Sequence, residues 1–142
     1  MTSWRDAASP QVQADLDGLL QPALGFAQQC LQERGEFYPY AVILSMSGEQ
    51  EMFMAEVPSE QRQAPSVIDA ITRDLAGQRD SYRAVAVVAD VRIQDASDAI
   101  RVTLEHREGH VLAVLLPYSR RKFSGGYVFA ELRGSTATPS VW

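Results

Sequence analysis

The sequence predicts an α+β fold: one domain over residues 1–142, built on a mostly antiparallel sheet of about six strands with helices packed on one of its faces. Two observations carry this. Four strand-like segments, Tyr82–Ile93, Ala99–Arg107, Val111–Tyr118 and Tyr127–Arg133, follow one another with only turn signals between them. Strands joined so closely pair antiparallel, because a parallel neighbour needs a crossover of a dozen or more residues. Ahead of this meander, two stretches carry apolar residues at helical spacing and bracket a hairpin.

The elements follow in order. Ser9 and Pro10 read as N-cap and first helical residue. Val12, Leu16, Leu19, Leu20, Ala23, Phe26, Ala27, Cys30 and Leu31 then recur at spacings of three and four. Pro22 falls inside this run. It removes a backbone donor and crowds the preceding turn, so either the helix kinks there or a second helix begins. Gly35 supplies the C-terminal stop. Tyr38–Met46 and Glu51–Val57 read as strands joined through Ser47-Gly48-Glu49-Gln50. Ala64–Gln78 reads as a helix, with Val67, Ile68, Ile71 and Leu75 on one stripe. The resulting order is similar to that of profilin-like modules such as roadblock and GAF domains. That similarity lies in element order and implies a fold type, with nucleotide sensing as the role a GAF-like module would bring.

Faces within the meander depend on register. Taking Glu108-Gly109 as a two-residue turn places Arg107 opposite His110, Glu105 opposite Leu112 and Thr103 opposite Val114. Ile100, Val102, Leu104, Val111, Ala113 and Leu115 then share a core face. Leu112, Val114 and Leu116 are left on the other side, to be covered by a helix or a second subunit. In Tyr82–Ile93 the small residues Ala84 and Ala86 leave room for a helix to approach.

Composition bounds the function. A net charge of −5 and a pI near 5.0 argue against nucleic-acid binding, which usually needs a basic face. Residues 101–133 nevertheless carry an excess of three positive charges, balanced by eight negative ones elsewhere. Lys122 is the single lysine beside twelve arginines, a bias that points to GC-rich bacterial coding. One cysteine excludes an internal disulfide. The opening residues lack the pattern of a signal peptide, and no apolar run approaches membrane-spanning length, so a soluble cytoplasmic protein is expected.

Two segments are candidate ligand-binding sites. Arg120, Arg121 and Lys122, with Gly125 and Gly126 close behind, have the composition of an anion-binding loop, though without phosphate-loop spacing. A solvated hairpin loop has the same composition. Tyr38 and Tyr40, around Pro39 and beside Glu36 and Phe37, form an aromatic corner able to floor a pocket, or to fold into the core. His106 and His110, placed on opposite faces by the register above, give no converging metal ligands. Asp90 and Arg92 with Arg101 and Glu105 suggest a cross-strand ion network. Cys30, on the apolar stripe, reads as a buried thiol. No nucleophile with a paired base, metal motif or dinucleotide fingerprint appears, so no catalytic residue, metal or cofactor is assigned. The expected function is a non-enzymatic protein acting through protein–protein interaction, as a homodimer or with another protein. The alternative is a small-ligand or anion-binding module using the basic loop and the aromatic corner.

Overall fold

The computed structural model describes residues 8–55, 63–93, 97–121, 126–135 and 137–142. Its elements are α1 (Pro10–Arg34), β1 (Tyr40–Ser45), β2 (Gln50–Phe53), α2 (Ala64–Gly77), β3 (Tyr82–Arg92), β4 (Asp98–His106), β5 (His110–Arg120), β6 (Tyr127–Phe129) and β7 (Arg133–Ser135). The fold is α+β as expected, on one antiparallel sheet ordered β2-β1-β3-β4-β5-β6, with β7 also on β5. Strands β6 and β7 continue one another along β5: Phe129 pairs with Tyr118 and Arg133 with Leu115, so the three residues between them on one side meet two on the other. That is a one-residue bulge.

The first helix is a single element of 25 residues that contains Pro22 and does not divide there. The Ser9 hydroxyl accepts from the Val12 amide and Gly35 closes the other end at φ 75°, its amide donating to the Leu31 carbonyl. The buried stripe is Val12, Asp15, Leu16, Leu19, Ala23, Ala27, Cys30 and Leu31. Each fully buried leucine contributes about 1.5–3 kcal/mol by its removal from water. Against this stripe stand Tyr40, Val42 and Leu44 of β1, Ala84, Ala86 and Val88 of β3, and Ile100, Val102 and Leu104 of β4. Alanines on both sides bring helix and sheet close together.

The helices do not share a face. Val67, Ile71 and Leu75 of α2 pack with Ala41, Ile43, Val85 and Val87, the alternate residues of β1 and β3. Because successive strand residues point to opposite sides, α2 lies across the sheet from α1. Two helices of this size cannot both cover β1 and β3 from one side, so the fold has three layers.

The meander register also differs from the sequence reading. His106 pairs with His110, Glu105 with Val111, Leu104 with Leu112 and Thr103 with Ala113. The turn is a three-residue loop, Arg107-Glu108-Gly109, with Gly109 at φ 97° and its amide on the His106 carbonyl. One residue of slip exchanges the faces of β5. Leu112, Val114 and Leu116 therefore pack on the core beneath α1. Val111, Ala113 and Leu115 face the side of α2. The apolar second face is covered in part by the chain itself.

Candidate functional site

After Gly35 reverses the chain at the end of α1, Glu36-Phe37-Tyr38-Pro39 leads into β1. The two tyrosines of this corner part company. Tyr40 opens β1 on the α1 face and is fully buried, its hydroxyl donating to the Ala23 carbonyl and its ring edge-on to Phe26 and Phe37. Burial pushes its phenol well above the usual range. Tyr40 is thus a core residue. Tyr38 points outward and lines a cavity of about 760 Å³. Phe26, Cys30 and Arg34 of α1 form one wall, Phe37, Tyr38 and Pro39 a second, and Met54, Ala55 and Val67 a third, with Glu36 completing the lining. Apolar walls with one guanidinium and one carboxylate suit a largely apolar molecule oriented by a few polar contacts.

The basic loop starts where β5 ends. Arg120 and Arg121 are exposed, and the Arg121 amide donates to the Gly126 carbonyl at 2.8 Å, closing the loop. Lys122 and Gly125 lie outside the described residues. A Cβ on Gly35 would sit 3.4 Å from the Tyr127 hydroxyl, so the root of this loop and the aromatic corner occupy the same end of the fold. Arg120 and Arg121 nevertheless do not line the cavity. Tyr118 joins this end from β5, with rings 5.8 Å from Tyr127 and 6.2 Å from Phe129, and donates at 2.7 Å to Asp90. Burial pushes Asp90 above the usual carboxylate range, with Asp98 adding to it and the Tyr118 hydrogen bond opposing it.

At the opposite end lies a polar cluster that the sequence reading missed. Asp15, on the buried stripe of α1, accepts at Oδ1 from Arg83 and from Gln11, both at 2.8 Å, and meets His106 Nε2 at 2.9 Å through Oδ2. His106 Nδ1 accepts the Glu108 amide at 3.1 Å. Nδ1 being an acceptor, the ring proton sits on Nε2 and is donated to Asp15. Burial raises the Asp15 pKa, but hydrogen bonds from His106, Gln11 and Arg83, with the Arg83 charge, outweigh it and hold the group below its ordinary value. Both imidazole nitrogens are occupied and both residues are enclosed, so the pair clasps α1 to β3 and β4 and has no free atom to offer a substrate. An acid on an apolar helical stripe, with a histidine on a core-facing strand, was the available signal.

The suggested ion network does not form. Asp90 and Arg92 project to the α1 side and Arg101 and Glu105 to the other. Arg92 meets Asp98 at 3.6 Å, and Arg101 Nε is buried with no hydrogen-bond partner among the described residues. Glu105 instead accepts the Ser140, Val141 and Trp142 amides at 2.9–3.2 Å. His106 and His110 share a face, contrary to expectation, and no group of three metal-ligating side chains occurs among the described residues. No described helix is long and apolar enough to cross a membrane. No protein-family model, curated protein or solved structure matches the chain.

Proposed function

We propose that this is a non-enzymatic bacterial protein of the cytoplasm that binds a small, largely apolar ligand in the corner cavity. The observation that carries the reading is the cavity: its volume of about 760 Å³ falls within the roughly 300–1,000 Å³ typical of ligand sites. Arg34 and Glu36 at its wall supply the polar contacts. The enclosed Asp15–His106 pair cannot serve it, since Asp15 and Cys30 are fifteen residues apart on α1, about 22 Å at 1.5 Å per residue.

The chain's sole cysteine lines this cavity, which makes the reading testable. Anilinonaphthalene sulfonate should bind saturably at one site and slow the reaction of Cys30 with a thiol reagent. Ala55→Trp, which fills the cavity from a half-buried wall position, should abolish both effects. Equal dye binding and equal Cys30 protection in the variant would reject the cavity as the site.

A second reading, the homodimer, is supported by the outward set of the sheet. Val111 and Leu115 share a face with Val128, which is 44 % exposed at the sheet's end. Light scattering at micromolar concentration should report a dimer, dissociated by Val128→Glu; a monomer across that range rejects it.

A further inference from the structure

Strand β2 ends the sheet, with β1 on one side and no strand on the other among the described residues. The Ser45 amide donates to the Glu49 carbonyl at 2.8 Å, making 45 and 49 a hydrogen-bonded pair. Antiparallel ladders alternate, so Ile43/Glu51 and Ala41/Phe53 are the next bonded pairs. The backbone amides and carbonyls of Gln50 and Met52 therefore point away from β1. Within Gln50–Phe53 no proline, lysine or bulge blunts this edge, and Glu51 is the charge it carries.

The two sides of the edge differ in chemistry with the period of a strand. On the α1 side stand Met52 and, beyond it, Met54, with Met46 at the turn; they are 46 %, 57 % and 50 % exposed. Such flexible, polarizable side chains adapt to varied partners. On the α2 side Glu51 and Asp74 converge on Tyr82, whose phenol is raised first by burial and then by these two charges. Exposed Glu49 adds a third carboxylate at the turn. Two cations stand near the turn and both are engaged: Arg107 lies against Met46, and Arg83, whose guanidinium would sit 3.6 Å from a Cβ on Gly48, is paired with Asp15.

We propose that the outer edge of β2 receives an extended segment of a partner protein in which apolar and cationic side chains alternate. The segment adds a strand through the free backbone groups of Gln50 and Met52. Its apolar residues fall on the methionines and its cations on Glu51 and Asp74. A second copy of the chain is a poor occupant, because antiparallel pairing of β2 with β2 sets Glu51 near its own counterpart.

An eight-residue fluorescent peptide of alternating Val and Lys tests this against its Val/Glu twin by anisotropy. The Val/Lys peptide should bind at least about tenfold tighter, and Glu51→Lys should erase that preference. Met52→Pro removes the outward amide together with the Met52 side chain and leaves the β1–β2 hydrogen bonds in place, so the sheet should persist by circular dichroism while affinity falls about fivefold or more. Bound peptide should also slow hydrogen exchange at the Gln50 and Met52 amides. Met52→Pro leaves net charge unchanged, so undiminished binding in that variant would reduce the effect to general attraction and overturn the proposal. Equal affinity for the two peptides, or exchange protection elsewhere only, would overturn it equally.

Discussion

The Gln50 side chain donates at 2.9 Å to the Gly18 carbonyl, the acceptor that Pro22, four residues further along α1, leaves without an amide. A helix of this length tolerates an interior proline where another donor meets the orphaned carbonyl. Gln50→Ala should cost about 0.5–1.5 kcal/mol in urea unfolding. In a Pro22→Ala background the regained helical amide should shrink that cost to near zero. A loss of the same size in both backgrounds would show that Gln50 acts elsewhere.

Asp15 gives the protein an acid limb. Its folded pKa lies below the ordinary 3.8, so its stabilisation is complete above about pH 4 and is lost as pH falls through the folded value. Asp15→Asn sets an amide against the Nε2 proton of His106 and lacks this titration. The stability gap between wild type and variant should narrow as pH falls below about 4. A gap independent of pH down to 2.5 would contradict the clasp.

Asp90 has the opposite sign. Burial, first, and Asp98, second, raise its pKa, so the folded state carries an unfavourable charge once Asp90 ionises. Asp90→Asn keeps an oxygen for the Tyr118 hydroxyl and removes that charge. It should leave stability unchanged or raised by about 1 kcal/mol at pH 7, an advantage that disappears as pH falls through the folded pKa of Asp90.

Much of this architecture is legible in the chain, and the failures share a cause. Ser9-Pro10 and Gly35 mark α1 because caps are local chemistry, and the stripe of α2 is set by its own spacing. The β4–β5 register is not local. Glu108-Gly109 resembles a two-residue turn, yet Gly109, at φ 97°, closes a loop one residue longer. Since β5 is apolar on both faces, its pattern could not correct the slip. The corner was legible as an aromatic cluster, but which tyrosine turns inward follows from Tyr40 being the first residue of β1. Asp15, Arg83 and His106 are separated by 68 and 91 positions from Asp15, beyond any spacing argument.

The C-terminal segment offers the last test. Val141 is buried with Ile43, Ile71 and Val85, and Trp142 packs beside it. Three consecutive amides, from Ser140 to Trp142, donate to the buried Glu105 carboxylate. Hydrogen bonds to a charged acceptor are worth more than neutral ones, about 1.5–3 kcal/mol each where enclosed. Glu105→Gln sets an amide group among these donors, so it should release the segment more readily than it unfolds the sheet. In a Trp4→Phe background, which leaves Trp142 as the sole tryptophan, the emission should shift to the red. Val141→Ala should do the same while lowering stability by about 1–3 kcal/mol through the cavity it leaves. Unchanged Trp142 emission in Glu105→Gln would mean that Val141 alone holds the segment and that the carboxylate is dispensable.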